Sequence, residues 1–299
     1  MRKESLDFLK KLLSTPSPSG FEEKIQRVCG KYMEPFVGEI YKDVHGNQYH
    51  VLNKKADLRI MLAGHVDEIG LMVNTIDKNG FIGFVPIGGV DSAVLGGQRV
   101  TVHGPKGSVP GVIGRKAIHL TPPEDRNKAL EMHQMWIDIG ATDKKDAEKV
   151  VGMGDPITIA VGYQELRNDM VVARALDDRV GAFVIMEAVR LLAKKNINVA
   201  VYCVTTVQEE IGLRGAITSS YGCAPHAGLA VDVAWATDHP RGEGDRYGET
   251  AIGDGPSIRR GPTINPVVHQ GILAAARKTT IPLQHLALPR ATAPRTTAT

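Results

Sequence analysis

Residues 199–212 read VAVYCVTTVQEEIG. The run from Val199 to Thr205 is apolar almost without interruption, the pattern of a strand covered on both faces, and two acids, Glu209 and Glu210, follow after Thr206-Val207-Gln208. Working outward, the same arrangement recurs. RIMLA (59–63) leads into Gly64-His65-Val66-Asp67-Glu68, and GLAVDVA (228–234) carries Asp232. Between these runs lie helical patterns. Asp177 to Lys195 has apolar residues at Val180, Val184, Ala188 and Leu191, and Gly212–Ser220 and Asn265–Lys278 also read as helix. Leu283–Leu288 reads as a final strand. Apolar strands alternating with helices predict an α/β fold with a mostly parallel central sheet.

Upstream, Leu6, Leu9 and Leu13 mark one face of an amphipathic first helix, with no apolar core of a signal peptide. Ser19 followed by Glu22 has the capping-box spacing and predicts a second helix from near Phe21 to about Met33. Ile40–Leu52 reads as a hairpin around His45-Gly46-Asn47. From about Leu71 to Gly162 the texture changes to short β-like runs between glycine turns (FIGFVPIGG, QRVTVHGPKG, SVPGVIG), with one helix at Thr142–Val150. The chain therefore reads as an α/β domain, residues 1–70 and 163–299, interrupted by a small β-rich domain, residues 71–162.

Length and composition fit this picture. A chain of 299 residues suggests about two domains, and 42% hydrophobic with 23% charged residues is ordinary globular usage, which excludes disorder for most of the chain. A net charge of +3 without a dense basic stripe argues against nucleic acid as partner. No apolar run approaches the ~20 residues of a membrane span. Cys29, Cys203 and Cys223 are odd in number and widely spaced, matching neither a disulfide framework nor a zinc ribbon, so a reducing, cytoplasmic setting is expected.

Ligands of parallel sheets bind beyond the carboxyl ends of the strands. There the sequence places His65, Asp67 and Glu68, then Glu209 and Glu210, then Asp232, with Asp177 and Asp178 before the long helix. Singly, each acid reads more naturally as a turn residue, a helix cap or a solvated face. Together they repel one another unless cations neutralise them. One imidazole with several carboxylates suits divalent zinc, cobalt or manganese better than a thiolate site would. Two such ions can activate a water and polarise a carbonyl while a free carboxylate moves the proton. Glu209 and Glu210, pointing in different directions, can divide ligand and base roles, and Asp67 can orient His65 from behind.

The motifs GHVDEIG (64–70), ARALDDRVG (173–181), TTVQEEIGLRGA (205–216) and AVDVA (230–234), occurring in this order, resemble the glutamyl or deblocking aminopeptidases of peptidase family M42. IGDGPSI (252–258) and RGPTINP (260–266) are similar to family segments as well. The resemblance covers the chain from the first helix to about Thr292. It implies a mixed-sheet peptidase domain interrupted by a β-barrel-like dimerisation domain. It also implies a cytoplasmic, dimer-based homo-oligomer, dodecameric in the family, that removes N-terminal residues from peptide substrates with two zinc or cobalt ions per subunit. Carried over by position, His65 and Asp232 would hold one metal, Asp177 would bridge both and Glu210 would hold the other. Glu209 would be the general base and acid, with Asp67 supporting His65.

The resemblance further implies a second histidine ligand after a Gly-Thr-Asp motif beyond the last strand. Here that stretch reads LALPRAT (286–292) and then Ala293-Pro294-Arg295, within a tail, ATAPRTTAT, of only four residue types. His269, on a predicted helix, and His285, in the final strand, do not replace that ligand. A C-terminally truncated catalytic domain, frame-shifted from about Ala293, is the expectation drawn from this tail. A catalytically impaired homologue, or a related di-metal deacylase or amidohydrolase, are the alternative functions.

Overall fold

The computed structural model describes residues 1–126 and 130–288. The composition break from Ala293 lies outside the described residues. Residues up to Asp232 and those from Val233 onward form two compact units.

The first unit is built on a five-stranded sheet in the order Glu39–Lys42, Gln48–Leu52, Ala200–Thr206, Arg59–His65, Ala227–Ala230. The last three of these are mutually parallel, with Thr206 opposite His65 and Ala230 opposite Ala63. The first two pair antiparallel with each other and with Ala200–Thr206. The sheet is therefore mixed rather than mostly parallel. The expected hairpin at 40–52 adds itself to one edge: its two strands run antiparallel to each other, as a short connection requires, and Gln48–Leu52 also runs antiparallel to Ala200–Thr206.

Helices Lys3–Ser14, Glu23–Met33 and Leu176–Leu192 cover one face, burying Leu12, Leu13, Ile25, Cys29, Met33, Ile185 and Val189 against Leu62, Val66, Val201 and Cys203. In the first helix the buried stripe runs through Phe8, Leu9, Leu12 and Leu13, and Leu6 sits at its margin. Helix Arg214–Cys223 belongs to the other face, where Met61, Tyr202 and Val204 pack with Tyr49, Val51 and Cys223. Each fully buried leucine or isoleucine contributes about 2 kcal/mol. The three cysteines are free and buried, and burial lifts the Cys29 thiol to about 12, so it is inert at neutral pH.

Between Gly70 and Ile159 six strands close into an antiparallel barrel, ordered Gly70–Ile76, Ile82–Ile87, Met135–Asp138, Gly107–Arg115, Arg99–Gly104, Pro156–Ile159. Its interior is filled by Leu71, Val73, Ile82, Val100, Val102, Ile113, Ile137 and Ile157, the inward half of each alternating strand. Closure leaves no free edge, which is how glycine-rich short strands become a stable body. In the second unit, Ser257–Arg260 and Gln284–Ala287 form a two-stranded parallel sheet. Helix Pro266–Thr279 starts where Asn265 accepts the N–H groups of Val267 and Val268, with Pro266 in the first turn. Among the described residues, no helix is long and apolar enough to cross a membrane.

The long helix lies very close to the strand that ends in His65. A methyl group on Gly64 would stand 2.7 Å from the backbone nitrogen of Ala182. Neither backbone can yield without moving the helix, so Gly64→Ala is expected to destabilise the protein by about 1–3 kcal/mol in urea melts. An unchanged melting curve would mean that this contact is not tight.

Candidate metal centre

Because three strands run parallel and in register, the segments 65–68, 207–210 and 231–232 leave the sheet at one rim. The rim gathers the six residues given roles by the resemblance: His65, Asp67, Asp177, Glu209, Glu210 and Asp232. His65 closes its strand, buried, with Nε2 at 3.1 Å from Asp177 Oδ1 and 3.8 Å from Glu209 Oε2. Two groups of candidate ligand atoms, each mutually within 4.8 Å, form around it: His65, Glu209 and Asp232, and His65, Asp177 and Glu210. The two groups share the imidazole. This pairing differs from the one implied by the resemblance, in which Asp177 rather than His65 is the common member.

Asp177 and Asp178 separate their roles. Asp177 is exposed to the site, whereas Asp178 is fully buried and accepts the backbone N–H of His65 at 3.3 Å and of Gly181 at 3.1 Å. The peptide bond between them is cis. A Cβ on Gly181 would fall 2.3 Å from Asp178 Oδ1, so only glycine lets this carboxyl close over the helix start. Asp178 thus anchors the helix to the His65 strand and leaves its neighbour to face outward. Burial, and secondarily the negative charge of Asp232 and Asp177, pushes Asp178 up to about 8 against the pull of His65.

Behind His65 stands Asp67, with no exposed surface. Its Oδ1 is 3.3 Å from His65 Nδ1 and accepts the Glu209 N–H at 3.1 Å. Its Oδ2 accepts the Ser19 hydroxyl at 2.6 Å and the Glu210 N–H at 3.1 Å. Burial alone would raise this carboxyl, but the His65 interaction and these hydrogen bonds outweigh it and keep Asp67 below the usual carboxylate range. Burial also opposes a charged His65, yet Asp177 and Asp67 beside it hold the imidazole well above its ordinary range.

Next to this pair, Glu68 is also buried and bridges two arginines. Arg179, fully buried, donates to Glu68 Oε1 at 2.7 Å, to the Ser17 hydroxyl and to the Leu12 carbonyl, and Arg174 pairs with the second Glu68 oxygen. This network ties the first helix and the Ser17 loop to the start of the long helix. Glu68 is thereby a structural ion pair member, not a ligand.

The sequence reading missed what Ser19 and Glu22 do. They form no capping box. Helix Glu23–Met33 has no side-chain cap, the Ser19 hydroxyl goes to Asp67, and Glu22 reaches the Gln208 backbone. Asn47, in the hairpin, was equally unmarked. It accepts the Val207 N–H at 3.1 Å. The local spacing of Ser19 and Glu22 signals a helix cap, whereas their actual partners are far along the chain.

Whether this donor set fits divalent cations is decided by its chemistry. The ligands are nitrogen and carboxylate oxygen, with no thiolate, and their atoms converge. Burial, then Asp177, Asp67 and Glu209, push Glu210 up to about 7 despite His65, and Glu209 is also raised, by burial first. Such crowding of half-buried carboxyls is what bound cations relieve, so the residues fit.

A family model described as M42 glutamyl aminopeptidase matches residues 46–296. The lysyl aminopeptidase of Pyrococcus furiosus is 34% identical over 289 residues, covering 96% of this chain and 82% of that protein. Among solved structures, the TET aminopeptidase of a marine-sediment Thaumarchaeota archaeon is 36% identical with a TM-score of 0.92, over 97% of this chain and 82% of that one. The Pyrococcus horikoshii TET1 peptidase, whose structure is described as assembling into a tetrahedron or a large octahedral shell, is 29% identical with a TM-score of 0.86, over 96% and 86% respectively.

Removing the Asp67 carboxylate strips acceptors from Ser19, Glu209 and Glu210 and leaves His65 without its buried counter-charge. Asp67→Ala is therefore expected to lose about 3–5 kcal/mol of stability in urea denaturation. A loss under about 1 kcal/mol, the range of an exposed pair, would show that Asp67 does not organise the rim.

Proposed function

The chain belongs to the M42 peptidase family, and from that premise we propose that it is a di-metal aminopeptidase releasing N-terminal residues from peptides. The observation that carries this reading is the pair of cation-sized ligand groups meeting at His65. Of the residues in these groups, His65, Asp177, Glu210 and Asp232 would hold two divalent ions and Glu209 would stay free as the base, with zinc or cobalt suiting the donors. When bound, such a pair supplies Lewis-acid polarisation of the scissile carbonyl and acidifies water at neutral pH.

The chain's own residues do the rest. Glu209 takes the proton of the attacking water and delivers it to the leaving amine. A carboxylate this close to His65, and not needed to complete the ligand set, is placed to carry a proton. Glu209 is partly buried, so its carboxylate is shielded from bulk water on the side of His65. Asp67 fixes the imidazole through Nδ1 and the Glu209 backbone through the same oxygen. The acidic rim also suits the positive amino terminus of a peptide better than an acyl cap or a free carboxylate, which favours an aminopeptidase over a deacylase or carboxypeptidase.

Residues 71–162 are assigned as the dimerisation domain and residues 1–70 with 163–299 as the peptidase domain of a dimer-based homo-oligomer. The tetrahedron or large octahedral shell described for the Pyrococcus horikoshii peptidase supports a large closed homo-oligomer. The free, buried cysteines accord with a cytoplasmic protein.

A substrate panel of aminoacyl, N-acetyl and C-terminal peptides, read with and without a chelator, tests the function. Hydrolysis of the free-amine substrates alone, abolished by the chelator, is expected. Glu209→Gln should keep its metal content while turnover falls about 10²–10⁴-fold. Cleavage of the acylated substrates instead would favour a deacylase. Absence of any hydrolysis by the metal-loaded chain would favour the impaired homologue.

A further inference from the structure

The turn that carries Glu209 is held in an unusual way. Four consecutive backbone N–H groups donate to three side chains from elsewhere in the chain. Val207 donates to Asn47 Oδ1 and Gln208 to Glu22 Oε1, each at 3.1 Å, while Glu209 and Glu210 donate to the two oxygens of Asp67. Within this turn Gln208 has φ +54°, a left-handed conformation uncommon outside glycine, so the turn needs outside support to keep its shape. Gly215 presses on it from below, since a Cβ there would stand 2.3 Å from the Val207 carbonyl oxygen.

Of these supports, Asp67 belongs to the metal centre already described. Glu22 belongs to neither ligand group, although it is near enough for its charge and that of Asp67 to repel. Glu22 opens the second helix yet makes no capping bond, is only 7% exposed, and uses one oxygen to accept both the Gly20 N–H at 2.7 Å and the Gln208 N–H at 3.1 Å. A buried carboxylate that does not cap its own helix and accepts from a strained turn 186 residues away spends its burial on that turn.

We propose that Glu22 is a positioning residue for the reaction: by accepting the Gln208 N–H it locks the left-handed peptide before Glu209 and so aims the Glu209 carboxylate, an inference that rests on Glu209 being the general base. What the turn needs from Glu22 is the acceptor oxygen. Glutamine supplies one and alanine does not. A small misplacement of a reacting group costs orders of magnitude in rate with little change in substrate binding, so the defect belongs in kcat.

The experiment compares wild type, Glu22→Gln and Glu22→Ala in the metal-loaded full chain, measuring kcat and KM on an aminoacyl substrate together with amide hydrogen exchange of the 205–212 segment. In Glu22→Ala, kcat is expected to fall about 10- to 100-fold at nearly constant KM and metal content, with faster exchange at Gln208. In Glu22→Gln, both the rate and the protection should recover most of the way. Unaltered exchange in Glu22→Ala would overturn the positioning role, as would a Glu22→Gln variant as slow as Glu22→Ala. If wild type itself hydrolysed no aminoacyl substrate, the aminopeptidase reading would fail first, and the positioning role of Glu22 with it.

Discussion

The carboxylate of Asp67 is the constraint on which the rest depends. It is removed from solvent, yet it meets an imidazole, a serine hydroxyl and two successive backbone N–H groups from three separate stretches of chain. A buried charge is tolerable only when satisfied this completely. Satisfying it forces the loop before the second helix, the end of the His65 strand and the turn after Thr206 to converge. The parallel register of the central strands delivers those segments to one rim, and Asp67 fixes how they meet there.

A second layer works by division of labour between neighbours in sequence. Asp67 and Glu68 are adjacent, but one supports the imidazole and the other neutralises Arg174 and Arg179. Asp177 and Asp178 are adjacent, but one faces the ligand groups and the other is buried under the helix start. Asp67 and Glu68 are both buried and each holds scaffold, whereas in the second pair the inward Asp178 does so and leaves Asp177 facing outward. The crowded outer carboxyls at the rim are costly for a protein without cations, and that cost is the mark of a binding site rather than of a packed core.

The rim itself was legible in the sequence, because apolar runs ending in His65, Glu209 and Asp232 encode both strand and ligand in one local pattern. The barrel was legible as a texture of short strands and glycines, though not as a closed body. The mixed character of the sheet was implied by the family resemblance but not by the strand pattern itself, since nothing in the hairpin at 40–52 states which edge it joins. Ser19 and Glu22 were misread for a physical reason. Capping spacing is a local signal, and it was overridden by partners in Asp67 and Gln208 that no window of sequence contains. Asn47 and Arg179 escaped notice in the same way, their roles lying entirely in contacts with distant backbone and side chains.

The central claim, that the acids around His65 are arranged for a pair of cations, is tested most directly by anomalous diffraction at the zinc edge from crystals of the zinc-loaded protein. The account predicts two peaks roughly 3.5–4 Å apart, enclosed by His65, Asp177, Glu209, Glu210 and Asp232. No peak among these residues, or peaks only elsewhere on the molecule, would contradict it.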